Sequence, residues 1–231
     1  MAGNSKIFRS SSILLVLVTI NTVFFILVSN YPQSVGDFVL TDNLHALYPK
    51  PWKIITYSFV HYSLQHYIFN TLVLICSALL YMRKASAASL AVTYLTGAFV
   101  GACMFSATCF LGEIRDTALI GSSCAVCAVI AGAIYQYNGI RINIGYKHIH
   151  ISRRLALCFM SLIILSEIFT SNFIGCIGHL SGLFSGCITV KLFNGTKTVY
   201  SNPIIEKASV SGYSSLTDDE KFQILKSNGL K

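Results

Sequence analysis

Long apolar runs separated by short polar connections set the pattern of this chain. Six runs stand out, at Ser12–Asn30, Tyr67–Met82, Leu90–Phe110, Ser122–Tyr137, Leu155–Phe173 and Ile177–Phe193. Each is close to the ~20 residues a helix needs to cross a bilayer. The pattern therefore predicts an all-α membrane protein of six helices. The fourth run is the shortest, and a helix of about 16 residues would span roughly 24 Å, less than a ~30 Å hydrocarbon core. Polar residues around Glu113, Arg115 and Asp116 precede it. The simplest geometry starts this helix below the outer surface, with the preceding loop dipping in to meet it. Irregular backbone at that depth is tolerated only where protein or water covers it. Ser123 would then stand at a helix N-terminus inside a wet cavity.

Composition agrees with the pattern. Of 231 residues, 54% are apolar and only 11% charged, against about 25% charged in a typical soluble domain. The placement of Lys and Arg sets the orientation. Only Lys50, Lys53 and Arg115 lie in the loops after spans one and three. Lys6, Arg9, Arg83, Lys84, Arg141, Lys147, Arg153 and Arg154 lie in the N-terminal segment or after spans two and four, and the rest lie at the end of span six or after it. Basic residues favour the cytoplasmic side, so both termini are expected there. The net charge of +8 thus reports membrane orientation, and a nucleic-acid partner is excluded for want of a basic patch on a soluble fold.

The first run is longer than a signal-peptide core and lacks a small-x-small cleavage site, so it reads as a retained helix. The expected organisation is a cytoplasmic segment over 1–11, a six-helix domain over 12–193 and a polar cytoplasmic tail over 194–231. The loop from Tyr31 to His66 is the longest external connection. It carries Tyr48, Trp52 and Tyr57, residues suited to the headgroup region. In the tail, Thr217 and Glu220 form a capping box for a helix over Asp218–Lys226, which Gly229 can end. Asn194-Gly-Thr196 matches a glycosylation sequon, but the cytoplasmic side would leave it unused. All eight cysteines lie in or at the ends of spans, which argues for small packing residues over a disulfide framework. Cys124-x-x-Cys127 has no βαβ context that would make it a redox pair.

Polar side chains at membrane depth are costly, and they are retained for function or for contacts between helices. Three stretches carry them: His61 to Asn70, Gly121-Ser122-Ser123-Cys124, and Gly178-His179-Leu180-Ser181-Gly182. A serine hydroxyl becomes nucleophilic only when a base takes its proton. His179, Gly182 and Gly186 share one helix face. Glycines so spaced let backbones approach closely. Should this face meet Ala128 of the fourth span, His179 comes within reach of Ser123. His66 and Asn70 lie one turn apart on another face. Both can donate hydrogen bonds to an oxyanion, as can the Ser123 backbone N–H at a helix start. The alternative is that both simply bond neighbouring helices. His61 reads as a brace for the external loop, and Glu167 in the fifth span has no catalytic reading.

Trp52-Lys-Ile-Ile-Thr56-Tyr-Ser-Phe59-Val-His61, His66-Tyr-Ile-Phe-Asn70, Gly121-Ser-Ser123 and Gly178-His179-Leu-Ser-Gly182, followed by Gly186, closely resemble the rhomboid intramembrane serine proteases. The match runs in the family's order from about Trp52 to Phe193. The resemblance implies a six-helix rhomboid bundle with a long first external loop and a Ser–His dyad without an acidic third member. Ser123 would be the nucleophile, His179 the base and then the acid, and His66 with Asn70 the oxyanion side chains. It further implies substrates that are transmembrane proteins, cut near the outer side of the lipid bilayer, with no metal or other cofactor. Two positions depart from the family's pattern: Cys124 stands where glycine is usual, and Cys127 where an aromatic often packs on the histidine. A catalytically weak or inactive relative that binds membrane clients is the alternative function. A transporter would call for an inverted repeat or paired broken helices, and a zincin for His-Glu-x-x-His; the chain has neither signal. The short N-terminal segment and the lack of a transit-peptide signature point to a bacterial plasma membrane.

Overall fold

The structure is a computed structural model that describes residues 2–112, 114–136, 139–144, 147–152, 154–155, 158, 160, 173–200, 204 and 213–227. Its chain divides into two compact units, Met1–Val190 and Lys191–Lys231.

Helix α1 (Ala2–Asn30) leads into a long loop, where short 3-10 turns at Pro32–Asp37 and Leu44–Leu47 flank strand β1 (Leu40–Thr41). Helix α2 (Lys53–Thr56) and a further turn at Tyr57–Phe59 complete this loop. Side chains fold it onto itself. Lys50 pairs with Asp37, Trp52 Nε1 donates to the Asp37 carbonyl at 2.9 Å, and Thr56 Oγ1 donates to that of Phe38 at 2.9 Å. The Lys50 ammonium holds the Asp37 carboxyl below its ordinary range.

Helix α3 (Leu64–Met82) opens on Ser63, whose hydroxyl accepts the His66 N–H at 3.1 Å. Helix α4 (Ala87–Leu111) opens the same way, with Ser86 accepting from Ser89 at 3.1 Å. These caps satisfy amides that have no partner within the helix. Strand β2 (Ala118–Leu119) follows and pairs antiparallel with β1, Leu40 opposite Leu119 and Thr41 opposite Ala118. The loop after α1 is thereby tied to the segment that enters helix α5 (Ser123–Gln136).

Four helical segments are long and apolar enough to span a membrane: Ser12–Asn30, Leu64–Met82, Ala87–Leu111 and Phe173–Phe193. Helix α5 is apolar but has only 14 residues, about 21 Å of rise. The six expected spans thus become four spanning helices and one short one among the described residues. The expected fifth span, with Glu167, lies almost wholly outside them, as does Gly229.

Two features differ from the sequence reading. Gly139–Ile144 and Lys147–Ser152 form an antiparallel hairpin, β3 and β4, where only a basic loop was anticipated. Its register sets Ile140 opposite Ile151 and Ile142 opposite Ile149, alternating with Arg141 opposite His150 and Asn143 opposite His148. The last membrane helix, α6 (Phe173–Tyr200), begins four residues before the expected Ile177 and runs beyond Phe193. Phe173 and Ile174 prolong its apolar stripe. Helix α7 (Asp218–Ser227) has the anticipated capping box: the Thr217 N–H donates to the Glu220 carboxylate at 2.8 Å, and the Glu220 N–H to Thr217 Oγ1 at 3.3 Å.

Helix α5 is the centre of the first unit, buried on nearly every face from Cys124 to Ile134. A helix apolar all round belongs in an interior. Its neighbours reach it through glycine. A Cβ on Gly97 of α4 would stand 2.5 Å from Ala128 Cβ, and one on Gly101 2.8 Å from Cys124 Cβ. From α6, methyl groups on Gly182 and Gly186 would collide with the carbonyl oxygens of Cys124 and Ala128. The anticipated meeting of the Gly182–Gly186 face with Ala128 is present. Lipid gives helices no hydrophobic reason to associate, so close backbone packing of this kind holds such bundles together. Beside it, Leu74, Ala78, Tyr81, Leu90, Tyr94 and Val129 form the main core of α3, α4 and α5. None of the eight cysteines forms a disulfide among the described residues.

Candidate active site

The turn before α5 is built around Gly121. Its φ of +104° is a conformation that residues with a Cβ rarely adopt. Its N–H donates to the Tyr57 carbonyl at 3.0 Å. A Cβ here would stand 2.9 Å from His66 Nε2 and closer still to Cε1. The missing side chain therefore permits both the turn and the seat of the His66 imidazole. Ser122 comes next, its carbonyl accepting the Val126 N–H at 2.8 Å, and Ser123 is the first helical residue. Amides at this end have no partner within the helix, and the helix dipole favours negative charge beside them.

The His66 ring is held between two others. Tyr62 lies 4.5 Å away by ring centroids and His61 5.0 Å away, nearly edge-on. His66 Nδ1 is buried without a hydrogen-bond partner among the described residues. One turn on, Asn70 is buried, and its side-chain amide donates to the His66 carbonyl at 3.0 Å. That bond takes one of the two amide protons and leaves the other for a further acceptor. His61 joins the loop after α1 to the Gly121 turn, its Nδ1 3.2 Å from the Phe59 carbonyl and its Nε2 3.2 Å from Ser122 Oγ. Burial pushes its pKa down to about 4, with His66 acting in the same direction.

These elements enclose a cavity of about 650 Å³. Ser123, His179, His66 and Asn70 all line it, so the four residues read from the sequence as nucleophile, base and oxyanion donors open onto one space. Gly121 lies against the His66 ring, while Gly182, Gly186 and Ala128 lie at the helix contact that carries His179 alongside α5. Apolar walls come from Phe69, Leu119, Ile120, Phe173 and Ile174, and Tyr62 and Thr117 add polar edges. A mostly apolar cleft with a few convergent polar groups is the usual form of a ligand site. A family model for the Rhomboid domain matches residues 48–195. The chain belongs to the rhomboid family. No curated protein matches the chain. The rhomboid domain thus contains every residue that lines the cavity.

The departure at Cys124 has a physical counterpart in this rhomboid domain. A Cβ on Gly101 would lie 3.0 Å from Cys124 Sγ, and one on Gly178 2.9 Å from it. The thiol fills space that glycines leave open on both flanking helices. Cys127 lies against Gly182, 3.1 Å from where a Cβ would stand. Sequence reasoning missed Gly101, whose only signal was its four-residue spacing from Gly97 on α4. It also missed Ser122, which nothing in the sequence separates from the serine beside it.

Proposed function

We propose that this rhomboid-family protein is an intramembrane serine endopeptidase, hydrolysing peptide bonds in or near transmembrane segments of membrane-protein substrates. The observation that carries the reading is the single cavity onto which Ser123, His179, His66 and Asn70 all open. In this mechanism neutral His179 takes the Ser123 proton as the hydroxyl oxygen attacks the scissile carbonyl. The carbonyl oxygen becomes an oxyanion, stabilised by the Ser123 N–H and by the His66 and Asn70 side chains. Protonated His179 then gives its proton to the leaving amine, and water repeats the sequence to release the acyl group from Ser123. Because the base works neutral, activity falls at acidic pH.

The apolar walls suit a transmembrane segment, and the placement of basic residues supports cytoplasmic termini. The test is cleavage of a reporter transmembrane substrate by purified wild type and Ser123→Ala in lipid vesicles. Cleavage by wild type with none by the variant supports the assignment. Equal cleavage by both overturns it, and binding without cleavage by either identifies a client-binding relative.

A further inference from the structure

Ser122 occupies the N-cap position of α5, and its hydroxyl does not do what a serine there ordinarily does. Its carbonyl accepts the first helical bond from Val126 at 2.8 Å. A capping serine usually turns its oxygen onto the amides of the first turn. Here Ser122 Oγ lies 3.2 Å from His61 Nε2. The proton positions follow from the other end of the ring. A carbonyl can only accept, so His61 Nδ1, 3.2 Å from the Phe59 carbonyl, carries the imidazole proton. Nε2 is then the acceptor, and the Ser122 hydroxyl donates to it.

Further buried polar groups lie away from the cavity. The Tyr94 hydroxyl of α4 donates to the Ser58 carbonyl at 3.3 Å and accepts from Asn21 Nδ2 of α1 at 3.4 Å. Asn21, Ser58, His61, Tyr94 and Ser122 are all at most 2% exposed. Toward the cavity, His61 meets the His66 ring nearly edge-on, with centroids 5.0 Å apart. The Ser122–His61 pair therefore joins the turn carrying Ser123 to the imidazole above Gly121. A hydrogen bond between two buried groups fixes their arrangement, because losing either partner is costly in a low-dielectric interior.

We infer that Ser122 is a positioning residue: by donating its hydroxyl to His61 it fixes the turn that presents Ser123 and the ring that braces His66. The inference rests on the protease reading above and adds a residue that acts only through others. Losing the Ser122 hydroxyl leaves His61 free to turn and removes the support on one side of His66.

The test uses the full chain in lipid vesicles, with a reporter transmembrane substrate and a fluorophosphonate that acylates an activated serine. Rates are referred to the folded fraction, so that lost stability is not counted as lost activity. Ser122→Ala lowers kcat and the labelling rate by about tenfold or more, the scale on which small misplacements act, while KM stays within about twofold of wild type. Ser122→Thr, which keeps the hydroxyl, restores both rates. His61→Phe does not. Wild-type rates in folded Ser122→Ala overturn the positioning role and leave the protease reading standing. Equal losses in Ser122→Thr and Ser122→Ala also overturn it, since the hydroxyl would then not be the cause. Failure of wild type to label or cleave overturns the protease reading, and the positioning role with it.

Discussion

Replacing Gly182 with alanine tests how the site is assembled, because this glycine sets the separation of the helices that carry Ser123 and His179. The added methyl would meet the Cys124 carbonyl oxygen head-on, with the carbonyl carbon and Cys127 Cβ each 3.1 Å away. The obstacle is backbone of the most buried helix in the unit, which cannot rotate aside as a flexible side chain can. Ordinary contact returns only if α6 moves off α5 by roughly 1 Å, given carbon contact distances of about 3.5–4 Å. Overpacking of this kind costs about 1–3 kcal/mol. Alanine's higher helix propensity returns at most about 1 kcal/mol, so the clash wins. The functional loss is larger, since a 1 Å error in reacting groups can cost about 100-fold in rate. The assay is reporter cleavage and fluorophosphonate labelling per folded molecule, alongside thermal unfolding. Gly36→Ala is the control, because no atom lies within 4 Å of the added carbon. Gly182→Ala with wild-type rate and stability would show that α5 and α6 are not held this closely, and would refute the reasoning.

Tyr81→Phe removes hydroxyl contacts to Ser89 Oγ at 2.8 Å and Thr93 Oγ1 at 2.7 Å while keeping the ring beside Gly132. Stranding buried hydroxyls should cost about 1–3 kcal/mol; an unchanged unfolding midpoint would show that they find other partners. Stability should also fall with acidity through His61. Its folded pKa of about 4 lies below the unfolded value of ~6.5, so the unfolded chain binds the proton first. The stability this shift confers is full above pH ~6.5 and is lost as pH falls toward the folded value. His61→Gln, which does not titrate, should flatten that slope between pH 6.5 and 4 in unfolding measurements. An identical slope in both proteins would place the acid sensitivity elsewhere. The Asp37–Lys50 pair follows the same sign at lower pH, because the lowered Asp37 pKa withdraws its support only as the carboxylate is protonated.

Much of the site is legible along the chain because membrane burial makes polar residues conspicuous. His66, Asn70, Ser123 and His179 interrupt apolar runs, and the glycine face beneath His179 points to the helix contact that α5 and α6 make. The capping box at Thr217 and Glu220 is equally local, four consecutive residues that satisfy each other. The hairpin is a different case. Its alternation of isoleucine with polar residues over Ile140–Ile144 and His148–Ile151 is present in the sequence, but Arg and Lys in the same stretch read first as a topology signal. Charge counts say which side of the membrane a loop occupies and nothing of its local structure.

Hydrophobic period, basic-residue placement and motif order by themselves determine that this is a helical membrane protein of the rhomboid kind, and which four polar residues to suspect. Those properties depend on single segments, so no distant contact can alter them. Tertiary structure alone decides the rest. The two serines of the Gly121 turn are chemically alike, and only packing gives one to the cavity and the other to His61. Cys124 looks like a defect in the motif until Gly101 and Gly178, from two other helices, are seen to make room for its sulfur. Both outcomes depend on close contacts between residues far apart in the chain, and such contacts exist only after the helices have come together.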